Sequence, residues 1–566
     1  MNILGFFEYL FASVGPFFIL LGLLIFVHEL GHFLVAKFFG VRVETFSLGF
    51  GKKLLRYKKG DTTYCISAIP LGGYVKMFGD DPTADVPEPE KKYAFLHKPV
   101  GPRIAIVLAG PLMNLFFAIL IFTLIGGVGE DLPGPTVGDV AVDSAAYEDG
   151  FRSGEKILAI NGEKMPSWVH IKDVVEASGG QALEFVVERT GEPQPLTLQA
   201  AVTMGDNENI FSTERKIGQI PGLTQEARST LVGVKDPQSP AARAGIKSLD
   251  LVVSVGDQRV NYWRELPPAL QRALTTGSAD SKSVKIQVRD VSKDEKPENV
   301  RTVQIPVSAD WNENTDLVAA LGLEPAELYI YQTKKGSPAD VAGVQAGDKV
   351  IRIDGQEVHT WKDVLERVKS FDPASQGMAF TVVRAGEEKT FTIRPEMTKL
   401  MTMKGQEEKR FTIGIVSGFL PVGAQPVFHR ISNPVEMIKF GLTETKKWTE
   451  FVVMSVVRLV QGDVSPKNIG GVITIGRVAS HSFEAGLSTF LRTMAIISIN
   501  LFLLNLLPIP ILDGGHLLFY CIEGIRGAPM SLRKMELAQQ VGLMLLMILM
   551  VFAFFNDITN LFFNRW

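Results

Sequence analysis

The chain has 566 residues, too many for one hydrophobic core, so several domains are expected. Its formal charge of −3 at pH 7 is close to neutral and argues against nucleic acid as the main partner. A hydrophobic share of 46% excludes a dense bundle of membrane spans, which leaves local apolar runs to decide the class.

The first predicted element is an apolar helix over residues 14–39. Phe17 to Val27 is apolar or Gly throughout and Phe33 to Ala36 resumes the run, enough to cross a bilayer as about 20 residues of helix. His28-Glu29-Leu30-Gly31-His32 interrupts it. On a helix, His28 and His32 share one face, so both imidazoles reach one tetrahedral ion. Glu29 beside them is placed to take a proton from water that the metal activates. This short motif also arises by chance. Its position inside an apolar run is what matters, because ionisable groups at membrane depth are costly without a function. No Lys or Arg precedes the run and no small-residue cleavage site follows it, so it reads as a retained span rather than a removed signal.

Residues 40–103 read as a basic loop, with Lys37, Arg42, Lys52, Lys53, Arg56, Lys58, Lys59, Lys98 and Arg103 in or beside it. Within it, Thr62 to Met77 alternates like a β-hairpin and carries Leu71-Gly72-Gly73-Tyr74. A second span, 104–129, has no charged residue. Residues 401–485 read as a linker with an amphipathic helix over 434–460, lying on the membrane surface or docking against the domains before it. The third span, 486–513, is uncharged over 493–512; a short loop follows at 514–536, and the fourth span is 537–562. The loops rich in Lys and Arg, after spans one and three, should be cytoplasmic. Both termini and the long middle region then lie outside, with His28 and His32 toward the cytoplasmic end of span one. Cys65 and Cys521 offer no disulfide framework.

The middle region repeats itself at roughly 95 residues, too long for a solenoid unit and right for tandem domains. The copies read as 130–225, 226–316 and 317–400. They run Ser144-Ala145-Ala146 then Gly154 to Gly162, Ser239-Pro240-Ala241-Ala242 then Leu249 to Asp257, and Ser337-Pro338-Ala339 then Gly347 to Gly355. The pattern resembles the PDZ domains of bacterial envelope proteases. That implies units which accept an exposed peptide end as an added strand, or which merely exclude bulky partners. Leu321-Gly322-Leu323 precedes a strand of copy three and is a candidate carboxylate-binding loop.

Two histidines leave a zinc site one protein ligand short. A third His at the extended-motif position is excluded by Phe38. Glu44 lies among charged residues beyond the span. A stronger candidate is Asp513, closing Asn505-Leu506-Leu507-Pro508-Ile509-Pro510-Ile511-Leu512-Asp513-Gly514-Gly515-His516 at the cytoplasmic end of span three. His516 competes with it. The prolines break the helix there, which is tolerated only against protein or a water-lined cavity.

HExxH in the first span together with NxxPxPxLDG near the third resembles the site-2 protease family of intramembrane zinc metalloproteases. Phe46 to Lys52, Ile69 to Met77 and Ala109-Gly110-Pro111-Leu112-Met113-Asn114 point to its RseP-type bacterial branch. The resemblance implies a four-helix transmembrane metalloprotease core with inserted tandem PDZ-like, β-rich α+β domains, in a bacterial inner membrane. It implies Zn2+ held by His28, His32 and Asp513, with Glu29 as general base. Asn505 would engage the substrate backbone; Pro508 and the membrane-associated β-segment with Gly72, Gly73 and Tyr74 would line the substrate. Substrates would be pre-trimmed single-span proteins of the anti-sigma-factor type, and remnant signal peptides. Typical members carry two PDZ domains where this chain reads as three. A metal transporter would also carry intramembrane His and carboxylate, but needs neither Glu29 between the histidines nor peptide-binding domains.

Overall fold

The computed structural model describes residues 3–81, 83, 85–276, 283–291, 299–308, 311–401 and 407–562. Four of its helices are long and apolar enough to cross a membrane: Val14–Phe38, Val100–Val128, Leu487–Leu506 and Leu532–Leu561. The first belongs to helix α1 (Ile3–Phe38) and the second is helix α2 (Val100–Val128). Leu20 and Leu24 of α1, Phe117, Phe122 and Ile125 of α2, and Met494 and Ile499 of the third spanning helix share one buried cluster. α1 and α2 approach closely because Gly31 has no side chain; a Cβ there would run into the carbonyl oxygen of Ala109.

The third helix ends at Leu506, six residues short of the apolar run's end. Pro508 and Pro510 lack an N–H and disfavour helix at the residues before them. The chain then starts a new helix, Asp513–Arg526, where the sequence suggested a loop from 514. Gly514 and Gly515 let that helix sit directly on the backbone of the break, since a Cβ on either would overlap residues 506–510.

The alternating segment at 62–77 is not a hairpin by itself. It is one strand, β2 (Thr62–Met77), paired with β1 (Val43–Lys59). Both strands bend, so the first run of β1 has partners on both edges: Phe46 faces Val75 on one side and Tyr64 on the other. Gly49 and Gly51, at φ 85° and 83°, make the bend in β1. Run 73–77 has no strand on its other edge among the described residues.

Each repeat forms its own sheet and buried core. Ser144, Ser239 and Ser337 cap a short helix by accepting from the N–H of Tyr147, Ala242 and Asp340. Pro240 and Pro338 stand where a helix has no use for an N–H. The acidic position that follows is buried in all three copies and meets an arginine: Glu155 with Arg189, Asp250 with Arg301, Asp348 with Arg384. The structure reassigns Leu321-Gly322-Leu323. Strand Leu323–Pro325 pairs with Leu231–Val234 of copy two, and Gly322 (φ 75°) packs on Ser239. Gly222 on Ser144 and Gly414 on Ser337 repeat the packing of a glycine on the capping serine, so each copy is closed by a segment that follows its own sheet in the chain. Proximity in sequence pointed to copy three, but the hydrogen-bond ladder joins the loop to copy two.

The middle region begins and ends in a two-stranded neck, Glu130–Pro133 paired with Pro426–His429. The amphipathic segment is helix Pro434–Gln461, and it docks against protein on two sides. One side lies on α2, where Gly126 and Gly127 make room for Phe440 and Met437. The other meets copy one, with Phe451 4.9 Å from Phe211 and Arg458 Nε donating to Ile210 O at 2.9 Å. Arg492 at the head of the third spanning helix bonds both Glu130 of the neck and Glu444 of this helix.

Candidate active site

His28 and His32 stand one turn apart on α1, with rings 4.9 Å apart. The proline break and the new helix bring Asp513 to them from the far end of the sequence. His28 Nε2 lies 3.2 Å from His32 Nε2 and 3.1 Å from Asp513 Oδ2, and His32 Nε2 lies 3.5 Å from the same oxygen. Ligands of a tetrahedral zinc at 2.0–2.1 Å stand about 3.3 Å from one another. The three donor atoms therefore have the spacing of one tetrahedral face. Two imidazole nitrogens and a carboxylate also suit zinc chemically. Among the described residues this is the one group of three or more such side chains that converges on a point.

Glu29 is outside the donor set and half-buried. It faces β2: a Cβ on Gly73 would lie 3.1 Å from Glu29 Cγ, so the absent side chain is what lets the strand's backbone pass beside the carboxylate. Gly72 and Tyr74 flank this point, and Tyr74 stacks on Phe50 at 6.1 Å. Asn505 is half-buried in the last turn of the third spanning helix, and Pro508 is exposed in the break. Glu44 is not part of the centre; it pairs with Lys76 at 2.8 Å. His516 sits one turn beyond Asp513, with its ring against Phe519 at 6.4 Å and outside the donor set.

Several surrounding residues escaped the reading of the sequence. Gly110 on α2 lies against the His32 ring, which a Cβ would strike. His32 Nδ1 is 2.8 Å from the carbonyl oxygen of Ile106. Asn114, fully buried on the same helix, places Nδ2 3.2 Å from His28 Nδ1, while its Oδ1 has no hydrogen-bond partner among the described residues. The signal that could have found them is the Ala109-to-Asn114 motif, which puts a polar amide into an otherwise apolar span. Near the N-terminal end of α2, Arg103 forms a two-pronged ion pair with Glu523 (Nη1 to Oε2, 3.1 Å) and lies 4.8 Å over Tyr520. This partly buried pair fixes the helix that carries Asp513 against α2.

A model described as peptidase family M50 matches residues 16–549. Regulator of sigma-E protease RseP of Escherichia coli strain K12 is 30% identical over 554 residues, covering 97% of this chain and 99% of that protein. A protein of Neisseria meningitidis serogroup A, named as a zinc metalloprotease, is 31% identical over 549 residues, covering 95% and 97%. The Yersinia pestis protein named protease RseP is 29% identical over 554 residues, covering 97% and 99%.

Proposed function

We infer the function from one premise: the chain belongs to peptidase family M50. It is a multi-pass membrane zinc metalloendopeptidase of the site-2 type that cuts peptide bonds within transmembrane segments. Its setting is sigma-E-type regulation, and its substrates are single-span proteins of the anti-sigma-factor class already trimmed outside, together with remnant signal peptides.

His28 Nε2, His32 Nε2 and Asp513 Oδ2 hold the zinc. The observation that carries this assignment is their mutual spacing of 3.1–3.5 Å inside a cluster of apolar helices. Zinc, when bound, supplies the Lewis acidity that activates water and polarises the scissile carbonyl. Glu29 takes the proton from the attacking water and returns it to the leaving amine nitrogen, so one water is consumed and two chain ends form. The free edge of run 73–77 receives the substrate as an extended strand, because a peptide bond inside a helix is closed to attack. Gly73 keeps that strand close to Glu29. Asn505 and Pro508 line the same substrate path. The basic loops support an orientation with the termini and PDZ-like units outside and the active site toward the cytoplasm. Outside, the units screen substrates by bulk, and copy one presents the groove for an exposed peptide end. A cavity of about 920 Å³ there is lined by Trp168, Ile171 and Val175, by Leu223 to Glu226, and by Trp448 and Phe451 of helix Pro434–Gln461.

The test is cleavage of a trimmed single-span substrate by the purified full-length protein in lipid, with mass spectrometry of the products. Cleavage inside the span that stops with a zinc chelator and returns with zinc is expected. Cleavage outside the span, or activity indifferent to the chelator, would refute this function.

A further inference from the structure

This inference concerns how His28 is held, and it rests on the zinc reading above. A histidine that ligates through Nε2 carries its proton on Nδ1, and the acceptor of that proton sets the tautomer and the ring orientation. At His32 the acceptor is the carbonyl of Ile106, 2.8 Å from Nδ1. At His28 the neighbour of Nδ1 is the Asn114 carboxamide, with Nδ2 at 3.2 Å and Oδ1 buried without a partner among the described residues. In that orientation Nδ2 donates to a bare Nδ1, which leaves the proton on Nε2 and removes it as a ligand.

A half-turn of the carboxamide exchanges the two atoms with almost no change of shape. Oδ1 then accepts from His28 Nδ1–H, and Nε2 is free to ligate. One amide atom stays unpartnered among the described residues either way, so the bond made to His28 decides. An imidazole N–H polarised by a cation donates more strongly than a neutral amide does to a ring nitrogen.

We propose that Asn114 is a positioning residue of the zinc centre: its carboxamide oxygen accepts the Nδ1–H of His28 and holds Nε2 as ligand. The helix places it well. Ile106, Gly110 and Asn114 are spaced four apart on α2, so a single face provides the carbonyl for His32, the room for its ring and the acceptor for His28. Ser498 Oγ donates to the backbone carbonyl of Asn114 at 2.8 Å and ties this face to the helix whose break leads to Asp513.

The experiment measures the zinc affinity of the full-length protein in detergent by competition with a chromophoric chelator, for N114L and N114D. Leucine keeps the volume and offers no acceptor; aspartate offers acceptors only. N114L should bind zinc roughly 10–100-fold more weakly, and N114D as tightly as the natural protein or more so. A merely structural role would lower the unfolding temperature of the metal-free protein and would not spare N114D. A loss below tenfold in N114L, or any loss of zinc affinity in N114D, overturns the proposal. If N114L does not accumulate, N114D alone decides, because a role through Nδ2 donation would make it lose zinc. His28→Ala and Asp513→Ala serve as controls: if they bind zinc like the natural protein, the ligand reading has failed, whatever the Asn114 variants do.

Discussion

Glu29→Gln is the substitution that separates metal binding from chemistry. The change is isosteric, so the close approach to Gly73 is kept, and Glu29 lies outside the three converging donors, so zinc content should stay at one ion per chain. What is lost is the proton acceptor. A positioned general base contributes roughly 10²–10⁴ in rate, or about 3–5 kcal/mol of transition-state stabilisation. Turnover should fall by that factor with the substrate KM little changed, because the substituted amide still fills the same space beside the strand edge. The assay is cleavage of a fluorogenic single-span peptide in lipid nanodiscs, run beside metal analysis of the same preparation. A rate within tenfold of the natural protein at full zinc occupancy would refute the assignment of Glu29 as base. Loss of zinc together with the rate would instead make Glu29 part of the metal's support.

Three further outcomes are expected. Gly134 N–H bonds Gln425 O at 3.0 Å, so residues 135–424 can be replaced by a short glycine turn without disturbing the neck. The shortened protein should cut a trimmed span as before and also cut one with a bulky external domain; unchanged discrimination, measured by product yield, would dismiss the filter. After Cys65→Ser and Cys521→Ser, a cysteine at exposed Glu192 should react with an impermeant thiol reagent on spheroplasts and one at exposed Lys534 should not, the reverse pattern inverting the topology. Burial, and then His429 at 5.4 Å between rings, holds the His170 pKa below its ordinary value against the pull of Asp173. The folded state thus favours neutral His170: the stability involved is full above about pH 6.5 and is lost as pH falls from there toward the folded pKa. Hydrogen exchange in helix Trp168–Ala177 should gain protection from about pH 5.5 to about pH 7.5 beyond the intrinsic trend, and His170→Gln should abolish the difference.

The two halves of the candidate metal site were legible because charge inside an apolar run is conspicuous. His28, Glu29 and His32 interrupt one span and Asp513 closes another, and the side chains of His28, His32 and Asp513 meet. The end of the third helix was misjudged because the chain stays apolar from Leu507 to Leu512, while Pro508 and Pro510 had already stopped the helix. Asn114 was not legible as a functional residue: an uncharged amide barely lowers the hydropathy of a span, and its meaning lies in one contact with a residue 86 positions away. The loop at Gly322 misled for a related reason. Its neighbours in sequence belong to copy three, but its ladder runs to Leu231–Val234.

Because strand Leu323–Pro325 closes copy two just before copy three begins, no slack chain separates the two. Pro325 ends one sheet and Ile330 starts another, and between them Tyr329 is buried with its ring over Gly233. Glu327 bonds Arg228 on one side and the Trp361 N–H on the other. At the junction of copies one and two, Asp139 bonds the Arg264 guanidinium and the Arg228 N–H. Such joints do not swivel like beads on a string. Each joint is a set of specific contacts, so a push on one copy is handed to its neighbour instead of being absorbed by a slack tether.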